Sequence, residues 1–409
     1  MMKCQHFLVT GGVILLLLLL QSPLLAGEVV PLRTVVIDPG HGGEDIGSAG
    51  INELKEKEIT LAAAKVLKKL IEKQFGARVV LTRNRDEDLP VRNRPSIANY
   101  QKADLFVSLH VGGGFDSETR GGKVYFYSSG EEEKEEAERR SASSPTKTRQ
   151  ALPLWEKGQL EHQRESRLLA RSIFKALNEV SPSQFSDAMG APLAVLQGAT
   201  MPAVLIELGT LSYPEDEVQL RNPESLKMVT QAIFQGIQEY WESLRRQRGP
   251  EPQGRGDRPV APTPEKEGRG QISLYFSPKG GRFLTVERRN IELDKSKLES
   301  EQVKAVLEEL SKGPSKDGVR TLPAQAPLRN VYIDKEKWVY LDFGKELQET
   351  HPSGAWTEIL TIYSIVHTIM QNFPQMKGVY FLLNGEERET LAGHIDLTAP
   401  FSKWESLVK

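Results

Sequence analysis

The chain has 409 residues, 39% of them apolar and 26% charged, with a formal net charge of −2. Its length exceeds what one core normally organises, so two domains are expected. The balanced charge excludes nucleic acid as an implied partner.

The first 26 residues read as a secretory signal peptide: a head with Lys3, an apolar run over Phe7–Leu20, and a small-residue exit before about Ala26. That run has 14 residues and includes Thr10, short of the roughly 20 a membrane span needs. Cleavage is therefore expected, with no stable membrane anchor afterwards and export to the periplasm or cell wall. The only cysteine, Cys4, lies inside this segment. Any transition-metal site in the mature chain must then use His, Asp or Glu.

Behind the signal, Arg33–Ile37 reads as a strand. Glu58–Phe75 follows as an amphipathic helix, with apolar residues at 59, 62, 63, 66, 67 and 70. Val79–Thr82 is expected as a strand, Arg94–Lys102 as a helix, and Leu105–Leu109 as a strand ending on His110. Lys123–Tyr127 is a further strand, followed by a charged insertion over 130–150 with too few apolar residues to order itself. A helix over Trp155–Leu177, strands at Leu193–Leu196 and Ala203–Ile206, and a helix over Ser225–Leu244 complete an α/β domain at 30–245. Its alternation predicts a mostly parallel sheet flanked by helices. A Pro- and Gly-rich linker is expected at 246–270. A smaller α+β domain then spans 271–409, opening on β-like runs around Lys279-Gly-Gly. It continues with a helix at Glu301–Leu310, strands at Val331–Ile333 and Trp338–Phe343, a helix at Ala355–Phe373 and a strand at Gly378–Leu383.

Seven histidines supply the imidazoles. His6 falls in the signal, His162, His367 and His394 in helical or second-domain contexts, and His351 beside Pro352 in a loop; all five are set aside. His41 and His110 each end an apolar strand and precede glycines, in "IDPGHGGED" and "ADLFVSLHVGG". In an open parallel sheet ligands gather at the strands' carboxyl ends, so the two can converge across 69 residues of chain. A catalytic zinc takes three protein ligands, His2Glu being one such set. Glu44, Asp45, Glu53, Glu56 and Glu58 all lie near His41, and Glu56 and Glu58 both open the helix; spacing does not choose between them. Glu207 ends the apolar run Ala203–Ile206, where an unpaired acid is costly unless it has a function.

The pieces "VVIDPGHGGED", "KEKEITLAAAKVLKKL", "TRNRDEDLPVRNRPSIAN", "ADLFVSLH" and "MPAVLIELGTLS" occur in one order and cover nearly all of the first domain. Together they resemble the zinc-dependent N-acetylmuramoyl-L-alanine amidases of the cell-wall type. The resemblance implies one zinc held by His41, Glu56 and His110, and Glu207 as the catalytic acid–base. It implies hydrolysis of the amide between the lactyl group of N-acetylmuramic acid and L-alanine, with peptidoglycan as the partner. Arg94, before Ala98-Asn99, is read as structural, and substrate-binding residues stay unknown. The chain departs from the family at Gly112, where Asn is usual, at Gly209-Thr210 and Ser212-Tyr213, and at Asp45-Ile46-Gly47-Ser48. None of these removes a ligand; they bear on substrate preference and turnover.

The second domain resembles the GerMN domain of spore-germination and sporulation proteins, through "ISLYFSPKGGRFLTVERR", "VLEELSKGPSKDGVRTLP", "WVYLDFGKEL" and "YSIVHTIMQNFPQMKGVYFLLNGEE". A non-enzymatic, binding or localising role is expected there, toward wall glycan or an envelope protein. Two other readings of the chain are a wall-binding protein on an amidase fold and a zinc peptidase acting on stem peptides. The insertion at 130–150 is read as a solvated loop, the alternative being an acidic segment that competes for the metal.

Overall fold

The computed structural model describes residues 31–128, 157–182, 184–246, 270–294 and 296–409. The expected signal, the 130–150 insertion and almost all of the expected linker lie outside the described residues.

The first sheet has six strands in the order β2-β1-β3-β6-β4-β5. They are β1 (Thr34–Pro39), β2 (Arg78–Leu81), β3 (Leu105–Gly112), β4 (Gly122–Tyr127), β5 (Phe185–Ala191) and β6 (Ala203–Thr210). All neighbouring pairs are parallel except β4 against β6. The mostly parallel sheet predicted from the alternation is what forms. The helices are α1 (Glu56–Phe75), α2 (Asn93–Tyr100), α3 (Lys157–Val180), α4 (Ala194–Gln197), α5 (Pro214–Arg221) and α6 (Pro223–Arg246). One expectation fails: Leu193–Leu196 is not a strand. It is the short helix α4, and the neighbouring strand is β5, in "FSDAMGA". An apolar run of four residues fits a buried helical turn as well as a strand, so length alone misled.

Successive strand residues point to opposite faces. Val35, Ile37, Val107, Leu109, Val204 and Ile206 pack on one side with the apolar stripes of α1, α3 and α6. Val36, Phe106, Leu205 and Tyr125 point the other way, into a core that continues through Leu193, Val195 and Met201. That second core does not stop at the sheet. It runs on into the C-terminal segment through Trp356, Ile359, Ile395 and Phe401.

The C-terminal segment contains the hairpin β7 (Gln271–Phe276) and β8 (Thr285–Asn290). Its sheet has the order β12-β11-β10-β9, from β9 (Leu328–Ile333), β10 (Trp338–Phe343), β11 (Gly378–Leu383) and β12 (Glu386–Glu387). Helices α7 (Glu299–Ser311), α8 (Glu346–Glu349) and α9 (Ala355–Asn372) complete it. Residues 355–369 of α9 are all buried, which agrees with a helix that is apolar most of the way round. His367 sits there as a core residue, its Nε2 against the Trp404 backbone.

Arg94 bears out a structural reading. Its Nη1 lies 2.9 Å from Asp38 Oδ1 and donates to Pro39 O, while Nη2 donates to His41 O and Leu89 O. Burial pushes Asp38 up, but Arg94, with Thr82, His110 and Ser108, outweighs it and holds the carboxyl below its ordinary value. Arg94→Met would leave that carboxylate buried without its cation. The expected cost is about 3–5 kcal/mol, read as a lower denaturant midpoint; an unchanged midpoint would show the pair to be dispensable.

Candidate metal centre

The site forms at the carboxyl ends of β1, β3 and β6, which are neighbours in the sheet. Pro39 pairs with Leu109, and His110 pairs with Glu207, so the register alone brings the expected groups side by side. Just past β1, His41 takes a left-handed conformation, φ 57°, flanked by Gly42 at φ 133° and Gly43 at φ 63°. Strain of that kind at a non-glycine residue persists where surrounding contacts over-determine it. Gly40 adds a steric requirement: a Cβ there would sit 2.3 Å from His110 Cε1. Gly40 is thus needed for the backbone to pass against the second imidazole, while a Cβ on Gly42 or Gly43 would run into Glu87 O or the Asp88 carboxylate.

Among the acids that spacing left open, the geometry selects Glu56. It is fully buried, whereas Glu44, Glu53 and Glu58 are exposed. Glu56 Oε1 lies 3.0 Å from His110 Nδ1 and 3.2 Å from His41 Nε2. The same carboxylate accepts the Ser48 N–H at 2.7 Å and the Val111 N–H at 2.8 Å. Despite its proximity to Glu56, His41 Nε2 is aligned with no hydrogen-bond partner and is buried. His41 Nδ1 is engaged by Asp45 Oδ2 at 2.8 Å, a partner that fixes the ring with Nε2 facing inward.

The electrostatics follow from burial and from these carboxylates. Burial opposes charge on His41, but Glu56 and Asp45 outweigh it and raise its pKa to about 10. Burial dominates at His110, whose pKa falls to about 4. Glu56 is driven up by burial, yet His41 and His110 hold it well below its ordinary value. A buried anion facing an unpartnered imidazole nitrogen and a second imidazole has the donor chemistry of a metal site.

Glu207, 1% exposed, stands on the adjacent strand end. Its Oε2 accepts the Tyr125 hydroxyl at 2.9 Å, and its Oε1 accepts the Ala355 N–H at 2.8 Å. Lys123, its register partner on β4, is also buried; burial lowers its pKa while Glu207 works in the opposite direction. Sequence reasoning placed neither Tyr125 nor Lys123 here. Their signal was register: both lie on the strand that pairs with β6.

A further correction concerns His394. Set aside above as a second-domain histidine, it enters the same cluster. Ligand atoms of His41, Glu56, His110 and His394 all lie within 4.8 Å of one another, and all four residues are buried. His394 Nε2 is 3.1 Å from His110 Nδ1. Its Nδ1 meets Glu358 Oε1 at 2.7 Å, and Glu358 also receives the His394 and Ile395 backbone N–H groups. For comparison, tetrahedral zinc with bonds of 2.0–2.1 Å sets its donors about 3.4 Å apart. Three of the separations, 3.0 Å from Glu56 to His110, 3.1 Å from His110 to His394 and 3.2 Å from His41 to Glu56, lie close to that spacing, so this donor set suits such an ion.

The family profile of N-acetylmuramoyl-L-alanine amidases matches residues 35–239, and that of sporulation and spore germination proteins matches 273–389. Escherichia coli O6:H1 AmiC, an N-acetylmuramoyl-L-alanine amidase, is 29% identical over 228 residues, 53% of this chain and 54% of AmiC. The chain thus spans about half the length of that curated relative. Bacillus subtilis YqiI is 35% identical over 218 residues, 53% of this chain and 89% of YqiI. Among solved structures, the catalytic domain of CwlV, an amidase from Bacillus (Paenibacillus) polymyxa, is 27% identical. It aligns with a TM-score of 0.41, over 51% of this chain and 98% of its own. With half its length matched by the first profile, this chain belongs to the N-acetylmuramoyl-L-alanine amidase family.

Proposed function

We propose that the chain is an exported zinc hydrolase that cleaves the amide between the lactyl group of N-acetylmuramic acid and L-alanine in peptidoglycan. The observation that carries this reading is the convergence of His41, Glu56 and His110 around one buried point, with Glu207 on the next strand end. The first domain, 30–245, holds all four groups. Among the described residues no helix is long and apolar enough to cross a membrane.

His41, Glu56 and His110 would hold the ion. Bound zinc supplies Lewis acidity to the scissile carbonyl and to the attacking water. Asp45 keeps the His41 ring turned toward the site, and Ser48 and Val111 fix the carboxylate of Glu56. Glu207 takes the proton of the attacking water and returns it to the leaving amine. Tyr125 orients that carboxylate through its hydroxyl.

The test is to incubate the protein, with zinc and with chelator, on purified peptidoglycan and to identify the released ends by mass spectrometry. An amidase frees the amino group of L-alanine and leaves a lactyl carboxylate on the sugar. Cuts within the stem peptide would instead make it a zinc peptidase. Chelation is expected to abolish release; release that survives it would overturn the zinc reading.

A further inference from the structure

His394 comes from a segment that neither the family resemblance nor the amidase profile includes, and it lies beyond the end of the second matched stretch. Yet it joins the buried cluster of His41, Glu56 and His110, with its Nε2 3.1 Å from His110 Nδ1, which in turn lies 3.0 Å from Glu56 Oε1. Glu358, on α9, holds His394 through Nδ1, as Asp45 holds His41. That arrangement turns the other nitrogen of each ring inward. From the same direction, the first turn of α9 places the Ala355 N–H on Glu207 Oε1. Both oxygens of the expected base are thus occupied.

We infer that the C-terminal segment closes the site of its own chain: His394 supplies a fourth protein ligand to the metal, and the N-terminus of α9 caps Glu207. This rests on the zinc-site reading above. Three protein ligands leave an open position for water, whereas four make the closed set of a structural site. Glu207 is 1% exposed and His41 3%, so a polymeric glycan strand cannot reach either until the segment moves.

The closure is built by backbone as well as side chains. Ala194 N donates to His394 O at 2.9 Å, Asp396 N donates to Pro192 O at 3.1 Å, and Leu193 bridges Ile395. The Thr357 hydroxyl donates to Gly113 O. Small residues permit this approach. A Cβ on Gly113 would lie 2.0 Å from Pro352 O, and one on Gly354 would lie 2.7 Å from Gly113 N. Gly112, where the resemblance leads one to expect Asn, lies against Gly354. The departure from the family pattern coincides with the place where the covering segment docks.

Two variants of the full chain test the inference by different routes. His394→Ala removes the ligand. Gly113→Ala keeps every ligand residue but drives a methyl group into the Pro352 carbonyl, displacing the cover and His394 with it. Zinc affinity is measured by competition with a chromophoric chelator, the ligand field by the visible absorption of the cobalt-loaded protein, and hydrolysis by stem-peptide release from purified peptidoglycan. Both variants are expected to bind zinc at least tenfold more weakly, taking ~10-fold as the low end for losing support at a metal site. Both should shift the cobalt spectrum and release stem peptides faster than the unsubstituted chain. Unchanged zinc affinity and cobalt spectra in both would overturn the fourth ligand. An unsubstituted chain as active as either variant would overturn the closure. Weaker zinc binding and altered spectra with no peptide release from any form would uphold His394 as a ligand and sink the amidase reading instead.

Discussion

Replacing Glu207 with glutamine is expected to lower stem-peptide release by a factor of ~10²–10⁴, the range associated with removing a general acid–base, while bound zinc stays unchanged. The comparison belongs in the Gly113→Ala background, so that closure does not mask the loss. Glutamine keeps the volume and an acceptor oxygen, so the Tyr125 hydroxyl retains its partner. It cannot take a proton at neutral pH. The buried Lys123 would lose its register-paired anion, leaving Asp216 as its remaining carboxylate influence, so a lower unfolding midpoint accompanies the loss. Zinc content is the measurement that separates chemistry from assembly, because Glu207 is not among the four clustered ligand residues. Full activity in Glu207→Gln would remove its assigned role. Loss of zinc together with activity would move it into the metal shell.

The elements that sequence read best are those whose pattern is set by burial on one or both faces. β1, β3 and β6 are continuous apolar runs because a parallel strand inside a covered sheet has no solvent side, and their ends carried His41, His110 and Glu207. The amphipathic helix α1 was legible from its stripe, and Gly76, left-handed at φ 64°, stops it. What spacing could not do was rank Glu56 against Glu58, and only the family resemblance named Glu56. Both sit in the first turn of α1, where any acid suits the helix dipole, and the fold supplies the physical distinction by turning Glu56 inward. His394 was illegible for a different reason. Nothing local in "LAGHIDL" marks a metal ligand, and its meeting with His110 crosses 284 residues of chain. A domain boundary inferred from composition encourages treating each side separately, which hides any site assembled across it. Glu358 and Ala355 were missed on the same ground. Each is an ordinary position in a helix until the helix's N-terminal turn is placed against β6.

Glu56→Gln is expected to remove the metal and to loosen the site at once, the opposite pairing to Glu207→Gln. The carboxylate is a ligand candidate through Oε1, and it also accepts two backbone N–H groups, Val111 on Oε1 and Ser48 on Oε2. Glutamine offers one acceptor oxygen and an amino group. Whichever way the amide turns, an N–H faces an N–H, and a buried donor left unmatched costs about 1–3 kcal/mol. His41 would lose the first of the carboxylates that hold its charge against burial. Zinc affinity should fall by more than about 100-fold, the upper range for losing a residue that only supports a ligand, and the denaturant midpoint should fall in the metal-free protein as well. Glu58→Gln, two residues away and exposed, is the matched control and should change neither quantity. If Glu58→Gln lost zinc while Glu56→Gln kept it, the choice between the two acids made by the fold would be wrong. If Glu56→Gln lost stability but kept zinc, the buried carboxylate would be a backbone anchor, and His394 would become the third ligand rather than the fourth.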